Sequence, residues 1–222
     1  MLDITISSIV TDEKWFDSTL KALIYSTKQF PTKKTQLISY IPFSHPLIEY
    51  VPLRHKISSL HDWNTFHIKH YHEYVNTSFL INIHNDGFVI NPSSWSNKFL
   101  EYDYIGALWP VGQCDNIINS KHYRCGNGGF SLRSKKMLEI VAKHCEYVGH
   151  PEDVTICKLY RDKLSQLGIK FATNEDAVQF SIEDTNIPEN QHQNHNDRFS
   201  LTSFGFHWRH SDAIKYLESI DL

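Results

Sequence analysis

The chain has 222 residues, of which 41% are hydrophobic and 13% aromatic, and its formal net charge at pH 7 is −3. This length and composition predict one globular domain over residues 1–222 with a sizeable core. No run of five or more lysines and arginines occurs, so we expect no electrostatically driven nucleic-acid site.

Cysteine usage and hydropathy favour an intracellular protein. The four cysteines form no Cys-x-x-Cys pair, which disfavours a structural zinc site and favours reduced thiols. The first residues contain neither a basic segment nor a long apolar one, so they do not predict a signal peptide. No apolar run reaches the length of about 18 residues that a transmembrane helix needs. We therefore expect a cytoplasmic protein, with at most peripheral contact at the inner membrane face.

The start of the chain predicts a strand, a helix and a second strand. Ile4–Val10 alternates and is rich in β-branched side chains, which is typical of a strand. Residues 11–13 supply a helix cap, and apolar residues at helical spacing continue to about residue 29. Residues 35–41 predict the second strand. Such a unit indicates a parallel sheet with right-handed crossovers.

The elements after this unit are shorter. Residues 42–62 contain three prolines and predict a loop, and Asp62 or Asn64 is the expected cap of a helix that runs to residue 74. Residues 78–84 predict the most buried strand. The other predicted elements are strands at 88–90, 104–107 and 170–172 and helices at 94–100, 134–145 and 154–167.

A carboxylate follows this buried strand in the sequence Asn85-Asp86-Gly87. Ligands of open α/β sheets collect at the carboxyl ends of strands, and a hard divalent cation on a pyrophosphate prefers carboxylate oxygens. Gly87 allows a sharp turn or close approach of a ligand. Asp86 is therefore a candidate metal ligand. The alternative, that Asp86 only stabilises the turn, is about equally supported.

Three glycines lie within four residues, at Gly126, Gly128 and Gly129. They permit positive φ angles and close approach of a polar ligand, and Asn127 between them can bond sugar hydroxyls. Ser134 is the expected cap of the next helix. The segment lacks the Lys-Ser/Thr pair of a phosphate-binding P-loop. A purely structural turn is the alternative.

Two acids, Glu152 and Asp153, follow Pro151 at the expected start of a helix. Acids favour the positive end of a helix, so a capping role explains them in part. A carboxylate near the glycine turn could instead act as the general base on an acceptor hydroxyl.

Histidines and tryptophans give weaker signals. The 14 histidines are mostly scattered, and we expect them to be solvated or partly buried, as in the polar run 189–197. Trp95, Trp109 and Trp208 could pack on sugar rings, although burial in a core is the commoner fate of tryptophan.

Five segments together resemble a family of uncharacterised bacterial and fungal proteins regarded as glycosyltransferases. The resemblance covers roughly residues 60–210, with the segments in the expected order. They are NDGFVINP at 85–92 with Trp95, FLEYDYIGALWP at 99–110, GNGGFSLRS at 126–134, PEDV at 151–154 and SFGFH at 203–207.

More distantly, the order of these segments resembles the inverting β-1,3-galactosyltransferase and Fringe group. That group has the GT-A fold, an Asp-x-Asp motif that binds Mn²⁺ and the UDP pyrophosphate, a Glu-Asp acid that acts as base, and a late histidine on the metal. The resemblance implies an α/β GT-A fold with a mainly parallel central sheet flanked by helices. It implies Asp86 as metal carboxylate, Asp153 as base and His207 as the late ligand. His84 departs from the pattern, because it stands where the first Asp would be.

The resulting hypothesis is a glycosyltransferase of polysaccharide biosynthesis. It would move a hexose from a nucleotide sugar, expected to be a UDP-sugar, to a hydroxyl of a glycan or glycoconjugate, with inversion and with Mn²⁺ or Mg²⁺. The expected contacts are Thr11, Asn85, Asp86 and Gly87 for the donor, Asp86, His207 and His84 for the metal, Asp153 and Glu152 for catalysis, and Trp109, Asn127, Gly128, Gly129 and Phe130 for the acceptor.

Three alternatives stay open. The domain could be a non-catalytic module that binds a nucleotide sugar or a glycan. The abundance of histidine also suggests a metal-dependent hydrolase, but no His-Glu-x-x-His spacing occurs in the sequence. His207 is flanked by aromatic residues, so a core histidine is the alternative to a metal ligand.

Overall fold

The computed structural model describes residues 1–109, 124–183 and 202–207, together with Lys215 and Ser219. The predictions for Trp208 and for the polar run 189–197, and the thiol of Cys114, lie outside these residues. Cys125, Cys145 and Cys157 are free, buried thiols, which agrees with the expected reduced state.

A six-stranded sheet forms the centre of the fold, in the order β3-β2-β1-β4-β7-β6. The strands from β3 to β4 pair in parallel, whereas β7 is antiparallel to both of its neighbours. Five strands therefore point the same way, and the predicted, mainly parallel sheet is confirmed. The strands are β1 Ile4–Val10, β2 Lys34–Ser39, β3 Glu49–Pro52, β4 Phe79–Ile83, β6 Tyr104–Gly106 and β7 Phe130–Ser134.

A second sheet of three short strands has the order β5-β9-β8. Its middle strand, β9, pairs antiparallel with β5 and parallel with β8. The sheet thus joins the segment after β4 to a segment near the end of the chain. Its strands are β5 Gly87–Val89, β8 Ser181–Glu183 and β9 Gly205–His207.

Helices cover both faces of the central sheet. Along β1, the alternation of side chains sends Ile4 and Ile6 to the core that contains Leu23 of α1, and Ile9 to the core that contains Phe66 of α2. The helices are α1 Phe16–Gln29, α2 Leu60–Lys69, α3 Lys135–His144, α4 Glu152–Val154, α5 Arg161–Gln166 and α6 Asn174–Phe180. Single 3₁₀ turns lie at Glu13–Trp15, Tyr71–Tyr74, Pro92–Ser94 and Asn97–Glu101, and Thr155–Leu159 is π-helical.

Several expected boundaries agree with these elements. Strands and helices predicted at 4–10, at about 14–29 and at 78–84 are present, and Ser134 caps α3 by accepting a hydrogen bond from the amide of Met137. The helix predicted at 154–167 is present in three pieces, because the π-helical stretch interrupts its regular hydrogen bonding.

Other expectations were wrong. The predicted loop at 42–62 contains β3, an edge strand in which Pro52 is tolerated because its missing amide hydrogen faces away from the sheet. The cap of α2 is Ser59, which accepts from the amide of Asp62, rather than Asp62 or Asn64. Residues 170–172 form only an isolated bridge between Phe171 and Tyr104.

Besides β3, the elements β7, α6, β8 and β9 were not assigned from the sequence. They are short, and β8 and β9 form a sheet only with each other and with β5. Across the described residues, every helix is too short or too polar to span a lipid bilayer.

Candidate functional site

The Asp86 turn connects the two sheets. The amide of His84 donates to the carbonyl of Gly129 at 2.9 Å, and the amide of Gly87 donates back to the carbonyl of His84 at 3.2 Å. Gly87 then pairs directly with His207 in the second sheet. This register brings a histidine from the end of the described chain next to the carboxylate at the end of β4.

His84, Asp86 and His207 form a cluster of possible metal ligands. One ligand atom from each lies within 4.8 Å of the other two, and His207 Nε2 lies 3.2 Å from Asp86 Oδ1. The His84 Nε2 atom is buried and has no hydrogen-bond partner among the described residues. Two imidazole nitrogens and one carboxylate oxygen suit Mn²⁺ or another transition metal better than Mg²⁺, which prefers oxygen ligands. The cluster therefore fits a divalent metal.

The nearest carboxylates favour the protonated form of His207. Burial lowers the pKa of His207, but the carboxylates of Asp86 and Glu183 outweigh burial and raise that pKa to about 10. Burial and the charge of His207 lower the pKa of His84, which keeps this imidazole neutral. A metal ion bound here would have to replace the proton on His207, since only an unprotonated nitrogen can be a ligand.

Neighbouring atoms leave no room for a Cβ at the three glycines of the turn at residues 126–129. A Cβ at Gly129 would lie 2.1 Å from His207 Nε2, and one at Gly128 would lie 2.7 Å from Glu152 Oε1. A Cβ at Gly126 would lie 2.2 Å from the ring of Trp109. Positive φ angles, which the sequence permits in this turn, occur among the described glycines only at Gly149 and Gly168. Close approach is therefore the reason for these glycines.

Asp153 contacts this turn at Gly128. Its Oδ2 accepts a hydrogen bond from the amide of Gly128 at 3.0 Å, and its Oδ1 accepts from the amide of Val154 at 2.7 Å. The residue is half-buried at the start of α4. Burial and the neighbouring charge of Glu152 raise the pKa of Asp153 above its usual value of 3.8. A carboxylate with a raised pKa is a stronger base than an ordinary surface carboxylate.

Glu152 also lies against Gly128, but its side chain is held by a buried arginine. Its Oε1 lies 3.0 Å from Arg133 Nη2, and the Arg133 side chain is completely buried. The backbone amide of Glu152 donates to Asn64 Oδ1 at 2.8 Å. Glu152 is therefore held in a buried ion pair, and Asp153 is the acid that remains partly accessible.

Glu183 is a site residue that the sequence reasoning missed. It pairs with His207 across β8 and β9, and its Oε1 lies 3.6 Å from His207 Nδ1. The same oxygen accepts a hydrogen bond from the side-chain amide of Asn127 at 2.8 Å. The signal in the sequence was weak, because it consists of one acid in the three-residue strand β8.

A cleft of about 740 Å³ opens beside the metal-ligand cluster. It lies at the carboxyl ends of β1 and β4, where α/β sheets usually bind ligands. Thr11, His84 and Asn85 line it, as do the indole rings of Trp15 and Trp63. The structure thus brings together two residues predicted for the donor, Thr11 and Asn85, and one predicted for the metal, His84.

The residues predicted for the acceptor have different surroundings. Asn127 is held by hydrogen bonds to the side chain of Glu183 and the amide of Gly129. Trp109 is buried against Gly126, and Lys158 Nζ lies 5.3 Å from its ring centroid. Phe130 is completely buried and packs on core phenylalanines, so its side chain does not reach the surface of the site. Trp95 likewise packs on Phe30 and Phe204.

Comparison with known proteins gives a family. The sequence profile of the family described as "Protein of unknown function (DUF5672)" matches residues 48–207. The chain belongs to this family. No curated protein matches the chain.

Solved structures identify the type of fold. A glycosyltransferase involved in the glycosylation of the major capsid of PBCV-1 aligns over 98% of this chain and 99% of its own, with a TM-score of 0.55 and 13% identity. An active-site mutant of LgtC aligns over 92% of this chain and 86% of its own, with a TM-score of 0.51 and 13% identity. These neighbours are GT-A glycosyltransferases, and the fold of this chain is of the same type.

Exchange of Glu183 for glutamine tests whether this residue supports His207 as a metal ligand. A carboxylate beside the second nitrogen of a ligating histidine orients the ring, and loss of such a partner typically costs about 10–100-fold in metal affinity. We expect Glu183→Gln to weaken Mn²⁺ binding by this amount in calorimetry. Glu175→Gln, the same exchange at an exposed position of α6, is the control. Unchanged Mn²⁺ affinity in Glu183→Gln would contradict this role.

Proposed function

We propose that this protein is a metal-assisted, inverting glycosyltransferase that moves a hexose from a UDP-sugar to a hydroxyl of a glycan or glycoconjugate. We also propose that residues 1–222 form a single domain. One observation carries the proposal. The cluster of His84, Asp86 and His207 and the half-buried Asp153 contact adjacent glycines of the same turn, the cluster through His207 at Gly129 and Asp153 at Gly128.

The donor side of the proposal rests on the cleft at the ends of β1 and β4. In this proposal, Thr11 and Asn85 contact the nucleotide, and the indole rings of Trp15 and Trp63 supply apolar faces for its base or sugar. His84, Asp86 and His207 would hold a divalent ion beside the cleft, which His84 also lines. That ion would stabilise the charge that develops on the departing nucleoside diphosphate.

The acceptor side of the proposal rests on Asp153. Its carboxylate takes the proton of the acceptor hydroxyl while the acceptor oxygen forms a bond to the anomeric carbon of the donor. The bond from that carbon to the nucleotide phosphate breaks, and the nucleoside diphosphate leaves with the electron pair. A single displacement of this kind inverts the anomeric configuration. Gly128 orients the base through its amide, which donates to Asp153 Oδ2.

Exchange of Asp86 for asparagine tests the metal. The change keeps the shape of the side chain and removes its charge, so we expect the fold to persist and metal-linked UDP binding to weaken. Removal of a residue that only hydrogen-bonds to a metal ligand typically costs about 10–100-fold in metal affinity. Loss of a direct ligand should weaken metal-linked UDP binding by more than this. Calorimetric titration of UDP with and without Mn²⁺ measures it, and the exposed Asp17→Asn on α1 is the control. Equal UDP affinity with and without Mn²⁺ in both wild type and Asp86→Asn would contradict the proposal.

Exchange of Asp153 for asparagine tests the base and the activity together. A general base contributes about 10²–10⁴-fold to rate, so Asp153→Asn should lower UDP release from a panel of UDP-sugars by that factor and leave UDP affinity nearly unchanged. Asp162→Asn, an exposed acid on α5, is the matched control. Glu152→Gln should instead lower the melting temperature, because it leaves the buried Arg133 without its ionic partner.

Two outcomes would overturn this part of the account. Near-normal turnover in Asp153→Asn would mean that Asp153 is structural. A wild-type protein that binds UDP-sugars with Mn²⁺ but releases no UDP with any glycan acceptor or with water would support a non-catalytic binding module instead.

A further inference from the structure

A second cluster of possible metal ligands lies outside the proposed active site. It consists of His55 in the segment after β3, His70 at the end of α2, and Glu73 in the following 3₁₀ turn. One ligand atom from each lies within 4.8 Å of the other two. The proposed mechanism uses none of these residues.

Both imidazoles place a nitrogen near the same carboxylate oxygen. His70 Nδ1 lies 2.8 Å and His55 Nε2 lies 3.8 Å from Glu73 Oε1. Zn²⁺ holds nitrogen and oxygen ligands at about 2.0–2.2 Å in a tetrahedron, which places two ligand atoms roughly 3.3 Å apart. The observed distances bracket this value. The two imidazole rings are stacked, with their centroids 4.0 Å apart and 24° between their planes, so binding of an ion would also require one ring to rotate.

The neighbouring groups also suit a metal ligand. His55 Nδ1 lies 3.1 Å from the hydroxyl of the buried Tyr74, and the same hydroxyl accepts from the backbone amide of Arg54 at 3.0 Å. When Nδ1 carries the proton and donates it to Tyr74, Nε2 presents its lone pair towards Glu73, as ligation requires. The Arg54 guanidinium approaches the other carboxylate oxygen, Oε2, at 3.7 Å. Oε1 therefore stays available to an ion.

We propose that His55, His70 and Glu73 form a Zn²⁺ site. Two imidazole nitrogens and one carboxylate oxygen are a common donor set for this ion, and the partial exposure of the three side chains leaves the fourth position to water. Mg²⁺ and Ca²⁺ prefer sites built from oxygen alone. The proposal does not depend on the proposed function.

The site would connect a wall of the cleft to α2. Ile57, Ser58 and Ser59 line the cleft just after His55, and the hydroxyl of Tyr40 accepts a hydrogen bond from the amide of Ile57. An ion shared by His55 and the end of α2 would fix this segment from its other side. The site would thus stabilise the chain segment that shapes the cleft.

The test is a Zn²⁺ titration of metal-free, untagged full-length protein in an Asp86→Asn background, which removes one ligand of the other cluster. Calorimetry should show about one equivalent of Zn²⁺, and Zn²⁺ should raise the melting temperature. Adding His70→Ala should weaken Zn²⁺ binding by at least ~10-fold, because loss of a residue that only hydrogen-bonds to a metal ligand already costs that much in affinity. His70→Cys should restore it, because a thiolate also ligates zinc. His61→Ala, which removes an exposed histidine of the same helix, should have no effect.

Glu73→Gln is the second variant, because it keeps the size of the side chain and removes its charge. It should weaken Zn²⁺ binding in the same way while the metal-free protein keeps its melting temperature. The absence of Zn²⁺ binding in the Asp86→Asn background would overturn the proposal. Equal Zn²⁺ affinity with and without His70 or the charge of Glu73 would overturn it as well.

Discussion

The close packing of the glycine turn against two different groups is the constraint on which the site depends. Gly129 leaves room for the imidazole of His207, and Gly128 leaves room for the side chains at the start of α4. Any Cβ at these positions would overlap its neighbour, because real Cβ atoms do not approach other atoms to the distances found there. The turn therefore fixes how far the metal-ligand cluster and Asp153 stand from each other. In the proposed function the cluster binds the donor and Asp153 binds the acceptor, so the turn would hold the two substrates next to each other.

The buried ion pair between Arg133 and Glu152 stabilises the packing of α4 against the glycine turn. Arg133 Nε also donates to Ser131 Oγ at 3.0 Å, and its guanidinium lies 5.4 Å from the ring centroid of Tyr104. Removal of one partner of such a pair typically costs about 3–5 kcal/mol, because a buried charge is left uncompensated. The pair also acts on the neighbouring acid, since the Glu152 charge contributes to the raised pKa of Asp153. Stability and proton affinity at this site thus depend on the same residues.

Local sequence signals were enough for β1, β2, β4 and β6 of the central sheet and for the position of Asp86. The alternation in β1, the cap and spacing of α1 and the apolar run of β4 each lie within a short window, where periodicity is informative. The start of α4 was also readable, because two acids after a proline mark a helix N-terminus. The resemblance to known families supplied the roles of Asp153 and His207, and these roles stay predictions.

The second sheet could not be predicted in the same way. Gly87 and His207 pair although they are far apart in the sequence, and no periodic pattern marked β8 or β9. Glu183 was missed for this reason, because only the pairing of β8 with β9 brings it to His207. The glycine turn was recognised, but its cause differs from the expected one. Contacts with residues distant in sequence, rather than positive φ angles, require these glycines.

A crystal structure of the protein grown with UDP and Mn²⁺ would test the central claim most directly, with the ion located by its anomalous scattering. The account predicts one Mn²⁺ within coordination distance of Asp86 and His207 and in contact with a UDP phosphate, with the nucleotide in the cleft beside Thr11. It also predicts that the Asp153 carboxylate faces the space next to that phosphate. An intact ion pair between Asp86 and His207, with Mn²⁺ and UDP bound elsewhere, would contradict it.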